Sequence, residues 1–315
     1  MKTTLNAIAV PALSLAVFIG VNAYGDVMPH ALSQAELAKE RQGVEQWKAD
    51  RLASLTSEAG WLALTGLFWL KPGENTFGSA GTNALHLDSP SLAPEAGTFV
   101  LEGNAVRFDA RPHGGVTHEG RAVTDIALAA DSTGEPTLLE SGTLTFYVIE
   151  RAGHLGIRVR DSANPLRTKF HGLDYFPNDD SWVMDARFEP YEPHKKIPIV
   201  NILGMRENMD SPGALVFMHG GKEYRLDALL EDPSDTDLFI MFADATSGGE
   251  TYGAGRFMYV PLPHDGLVRL NFNQAYNPPC AFNTFATCPL PPAQNRLAVR
   301  VEAGELTYDS PHLQE

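Results

Sequence analysis

Gly142-Thr-Leu-Thr-Phe-Tyr-Val-Ile-Glu150 and Leu155-Gly-Ile-Arg-Val-Arg-Asp161 decide the fold. Both read as strands. In the second, Leu155, Ile157 and Val159 share one face, and Arg158 and Arg160 the other, because successive strand residues point to opposite sides. Exposed arginines on the polar face make a half-exposed strand. The sharper alternative is that Arg158 pairs with Asp161 or lines a ligand groove.

Outward from this pair, short strand candidates recur with turn residues between them. They fall at 84–87, 97–101, 105–109 and 124–129 before it, and at 182–188, 199–203, 213–218, 222–226, 238–243, 257–260 and 267–272 after it. Trp61 to Leu70 is strand-like and runs into Lys71-Pro-Gly-Glu-Asn75, with Pro at i+1 and Gly at i+2 of a type II turn. Such spacing predicts a mainly β protein, an antiparallel sandwich or barrel, rather than βαβ units. Ser33-Gln-Ala-Glu36 is a capping box that starts one N-terminal helix, running to about Leu55.

The ends and the middle divide the chain. Lys2, the apolar run from Leu5 to Val21 and Val21-Asn-Ala23 form a secretory signal over residues 1–23. A helical segment occupies 24–60, a sandwich-like first half 61–188, and a β-rich second half 199–315; the halves are separate domains or one. Three prolines make 189–198 a linker or an edge crossing. The protein is thus expected to be exported, periplasmic or extracellular, with no stable membrane insertion once the signal is cleaved.

The chain carries 24 Lys and Arg against 39 Asp and Glu. A net charge of -15 argues against nucleic acid and anionic membrane surfaces, which need clustered basic side chains. Two cysteines in an exported chain point to one disulfide, Cys280–Cys288. Their spacing fits no zinc motif, and neither a Gly-x-Ser-x-Gly elbow nor a nucleotide-binding glycine loop occurs. No metal and no cofactor is expected. Oligomeric state is not legible.

Polar residues that could bind or catalyse are densest between Asp244 and Arg296. Leu238-Phe-Ile-Met-Phe-Ala243 is apolar throughout, as in a strand buried on both faces. Asp244 at its end is a ligand, an acid/base, or a loop anchor. Arg256 shares a strand face with Met258 and Val260, so a guanidinium sits among apolar side chains, and Asp244 is its nearest candidate partner. Such a pair holds two strands together or presents a fork of donors to an anion. Tyr252 completes the catalytic candidates. Arg158, Asn271, Asn273 and Asn277 are the ligand-binding candidates, although asparagines beside prolines also satisfy loop backbone.

Several stretches resemble the bacterial domain-of-unknown-function family 1684, over about Trp47 to Tyr308. They are Gly60 to Leu70, Gly73 to Gly78, Gly156 to Asp161, Gly172 to Pro177, Thr251-Tyr252 with Gly255 to Phe257, Asn271-Phe-Asn273, and Asn277-Pro-Pro-Cys280 through Cys288 to Asn295-Arg-Leu297. The resemblance implies no activity. It implies an Asp in many members where this chain has Asn271. Leu70-x-x-Gly-Glu-Asn-x-Phe-Gly78 is also similar to the opening of a forkhead-associated sandwich, whose phosphothreonine-binding Arg is replaced here by Ser79.

Three functional readings remain. One is a hydrolase-like enzyme acting on a small polar or carbohydrate-like substrate, with Asp244 as acid/base and Arg256 as orienting group. Another is a non-catalytic protein that holds a small ligand. The last is a structural β module. Whether any reaction takes place stays open at this level.

Overall fold

The computed structural model describes residues 31–308. The signal-peptide reading, residues 1–23, lies outside the described residues. The architecture is mainly β with antiparallel sheets and one long N-terminal helix, as the strand spacing predicts.

The first half is a sandwich. One sheet orders Leu64–Trp69, His154–Asp161, Leu144–Arg151, Leu139–Ser141, Thr117–His118 and Arg121–Ala122. The other orders Leu85–His86, Gly73–Gly78, Gly97–Glu102, Ala105–Ala110 and Asp125–Leu128. Between them Phe77, Phe99, Phe108 and Phe146 pack with Val148, Ile157 and Val159. The turn at Lys71 is held by Asn75, which accepts from the Lys71 N–H and donates to the carbonyls of Lys71 and Gly73. Gly73 has φ 85°, which a side chain would disfavour. Ser79, in the position of the forkhead-associated arginine, donates its hydroxyl to the Leu92 carbonyl.

The second half is a single sheet that curls on itself. Its order is Arg256–Pro261, Asp237–Phe242, Lys222–Leu230, Arg206–His219, Val183–Val200 and Leu267–Asn271. The two edge strands approach each other, so the sheet is nearly a closed barrel. Phe217, Leu226, Leu238, Ile240, Phe242, Met258 and Phe272 fill its inside. Phe239, Met241 and Phe257 point outward instead, onto Leu64, Ile197, Ile199 and the disulfide. That explains the uninterrupted apolar run at 238–243: both faces of its strand are buried.

Residues 189–198 correct the linker expectation. They lie inside the 18-residue strand Val183–Val200. The prolines cannot donate to a ladder, and pairing with Arg206–His219 shifts register between Pro190 and Lys195 rather than breaking.

The helix Gln34–Thr56 begins with both halves of the capping box at Ser33 and Glu36. Only Val44 and Leu55 of it are buried, so polar contacts do much of the docking. Arg41 pairs with Asp180, Arg269 with Glu40, and Arg51 with Glu305. Among the described residues no helix is long and apolar enough to cross a membrane.

Candidate functional site

Asp244 and Arg256 do meet, but in the core. Their side chains are both 0% exposed, with Arg256 Nη2 3.5 Å from Asp244 Oδ2. Arg256 also donates to the carbonyls of Val301, at 2.9 Å, and Ala303. Asp244 accepts from the Val301 N–H and from the hydroxyls of Thr246 and Ser247. The pair clamps the chain's final segment onto the end of the central strand. Burial pushes the Arg256 guanidinium down to about 10, with Asp244 opposing. A group committed to two carbonyls and a carboxylate has little left for a ligand, and neither residue lines a described cavity.

The amides are framework too. Asn271 donates to Glu40 on the helix and accepts from the Asn273 N–H. With Glu40 opposite, an amide fits where a carboxylate would be repelled. Asn273 holds the backbone of Asp179 by both its N–H and its carbonyl. Asn277 donates to the Leu306 carbonyl, while its backbone N–H donates to Glu305. Tyr252 donates to the Cys280 carbonyl at 3.3 Å, and burial raises its phenol above the usual value. Cys280 and Cys288 are bonded to each other. No described group of three or more His, Cys, Asp or Glu could hold a metal.

Arg158 has a different setting. The half-exposed strand expected there is instead covered on both faces, leaving Arg158 2% exposed. Ile157 and Val159 face the sandwich core, so Arg158 points out of it, toward the curled sheet. There a cavity of about 660 Å³ opens between the two halves. Its walls come from four sources. Glu150, Arg151 and Arg158 belong to the sandwich, and Arg51 to the helix. Met209, Glu231, Phe239, Phe257 and Tyr259 come from the outer face of the curled sheet. Pro279, Ala286, Thr287 and Cys288 come from the disulfide loop.

The cations of this cavity divide sharply. Arg51 is held by Glu305, Arg151 by Asp131 and Lys196 by Asp210. Arg158 has no carboxylate within ion-pair distance among the described residues. Its Nη2 donates to Thr287 Oγ1 at 3.3 Å, its Nε has no partner, and its guanidinium lies 5.7 Å from the Trp61 ring. Burial lowers its affinity for the proton, with Tyr147 opposing and Arg151 adding to the fall. An arginine stays charged regardless, so the shift expresses the cost of a buried, unpaired cation.

Sequence reasoning placed Arg158 among the ligand contacts but missed its neighbours. Trp61, Phe239, Phe257, Tyr259 and Tyr276 line the same cavity. They are distant in sequence, and strand alternation alone does not say which apolar face meets another sheet. A second depression, of about 520 Å³, runs along Tyr191, Lys195 and Arg225. There Arg225 is already held by Glu189 and Tyr191.

Residues 168–306 match the model of the family described as Protein of unknown function (DUF1684). The match takes in the curled sheet and the disulfide loop, and is narrower than the span from Trp47 that the motifs suggest. Among solved structures, the chain is similar to an uncharacterized protein of Haloarcula marismortui determined by solution NMR. The identity is 31%, over 45% of this chain and 80% of that one, with a TM-score of 0.39. No curated protein matches the chain.

Proposed function

Taking as premise that residues 168–306 belong to a family without an assigned activity, we propose that this is an exported protein that binds a small organic anion. The ligand sits in the cavity between sandwich and curled sheet. One observation carries the reading: Arg158 is 2% exposed, faces that cavity and lacks a carboxylate partner among the described residues. A buried charge is costly unless paired, and a site that keeps such a cost is one where a ligand supplies the counter-charge. The polar groups convergent on a mostly preformed concavity suit a small-molecule site.

The hydrolase-like alternative loses support at its original residues, since Asp244 and Arg256 are fully buried, bound to each other and to the backbone of Val301, and line none of the cavities described. It keeps one foothold: at the cavity's rim the Tyr259 hydroxyl donates to the Glu231 carboxylate. Turnover of esters or glycosides that Glu231→Gln abolishes would favour it.

Binding is tested by calorimetric titration of the purified protein with a panel of small carboxylates and inorganic phosphate, alongside Arg158→Gln. Saturable binding that the variant loses, with unchanged circular dichroism, is expected. Equal binding by both proteins would place the ligand elsewhere.

A further inference from the structure

The cavity's chemistry also restricts which anion it takes, and this inference rests on the binding role proposed above. We infer that the ligand is a planar aromatic monoanion, a ring carrying one carboxylate.

The charge comes first. Of the cations in the lining, three are neutralised by Glu305, Asp131 and Asp210, leaving one positive charge to be met. Three further carboxylates, Glu150, Glu207 and Glu231, share the same walls. A second negative charge on the ligand would find no free cation and would be repelled by these groups. A monoanion is therefore favoured over a phosphate ester.

The geometry of the head group follows from the guanidinium. Arg158 uses Nη2 on Thr287 and leaves Nε without a partner. A planar fork of donors matches the two oxygens of a carboxylate.

The body of the ligand follows from the walls. Phe239 and Phe257 meet edge to face with ring centres 5.0 Å apart, and Phe239 and Tyr259 are tilted by 32° at 5.1 Å. Tyr259 and Tyr276 lie nearly parallel, 6.3 Å apart. Trp61 also lines the cavity, its ring 5.7 Å from the Arg158 guanidinium. Phe239, Phe257, Tyr259 and Tyr276 thus form one aromatic cluster in the cavity wall, with the paired Arg51 over the Tyr276 ring, while the unpaired Arg158 and Trp61 line the same cavity. Offset or edge-to-face contact with a ring is worth more than the same area of aliphatic contact.

The test compares four probes by titration calorimetry: benzoate, cyclohexanecarboxylate, glucuronate and inorganic phosphate. Benzoate is expected to bind about tenfold tighter than cyclohexanecarboxylate, with glucuronate and phosphate weaker than both. Arg158→Lys keeps the charge but loses the fork and is expected to weaken benzoate about tenfold. Tyr259→Ala removes a half-exposed ring and should shrink the benzoate preference, with circular dichroism confirming that the variant is folded. If glucuronate or phosphate binds as tightly as benzoate, or the two ring acids bind equally, the aromatic assignment is overturned while anion binding stands. If no probe binds, both fall.

Discussion

The carboxylate of Asp244 and the guanidinium of Arg256 lie 3.5 Å apart with no solvent access, and both also bind the backbone of Val301. Removing one partner leaves the other as an uncompensated buried charge. Asp244→Ala is expected to cost about 3–5 kcal/mol. Arg256→Met combined with Asp244→Asn should cost less than the two single changes summed, because neither charge is then orphaned. Urea unfolding of the four proteins checks this, and additive losses would argue against a coupled pair.

Arg158 should behave in the opposite way. It already lacks a carboxylate partner among the described residues, so Arg158→Leu removes a buried charge without stranding another. A gain of about 1–3 kcal/mol is expected in the absence of ligand, with loss of anion binding. Such a trade of stability against function marks a site rather than a scaffold. A destabilised variant in urea unfolding would mean that Arg158 serves the fold.

The contrast between these arginines shows how far the sequence carries. Alternation identified the strands of both, and the turn spacing gave the mainly β, antiparallel class but not the order of strands in the sheets. Each arginine projected from the face opposite to or amid apolar neighbours in ways that looked similar in the chain. What separates them is long-range: Arg256 meets the segment at Val301–Ala303, and Arg158 meets a cavity made by a different half. Residues 189–198 failed for another reason. Proline content signals a break in local pairing, yet a long strand absorbs one by shifting register. The asparagines at 271, 273 and 277 were legible as polar, but only the positions of Glu40, Asp179 and Leu306 reveal them as framework.

The disulfide loop links stability to the cavity. Thr287, one residue before Cys288, is the hydrogen-bond partner of Arg158. Closing the eight-residue separation between Cys280 and Cys288 is worth about 2.5 kcal/mol in the chain-entropy model. Reduction, or Cys280→Ser with Cys288→Ser, should lower stability by roughly that amount and also weaken anion binding. Unchanged affinity in the reduced protein would show that Thr287 does not position Arg158.

Alkaline pH should unfold the protein through its tyrosines. Burial raises Tyr175, Tyr252, Tyr259, Tyr276 and Tyr308 above the ordinary 10.0. The folded chain then holds protons that the unfolded chain releases near pH 10, so stability is full below that pH and falls above it. The arginines stay charged through this range and do not offset the loss. Ultraviolet titration should show these phenols ionising late, together with unfolding. Ionisation of all tyrosines near pH 10 in a folded protein would contradict this.

The N-terminal helix should come off as a unit when one ion pair is cut. Glu305 is 0% exposed, and Arg51 reaches it at 2.9 Å while donating to the Asn277 carbonyl and lying over the Tyr276 ring. Arg51→Met retains most of the apolar stem but leaves Glu305 buried without its cation, at a cost of about 3–5 kcal/mol. Because few helix residues are buried, much of that loss should appear as local undocking rather than global unfolding. Hydrogen exchange is expected to quicken across 34–56 while the strands of both halves keep their protection. Arg51→Met with Glu305→Gln should restore part of the protection, since a neutral amide can still accept from the Asn277 N–H and needs no counter-charge. Uniform acceleration over the whole chain would mean that the helix and the curled sheet unfold as one cooperative unit.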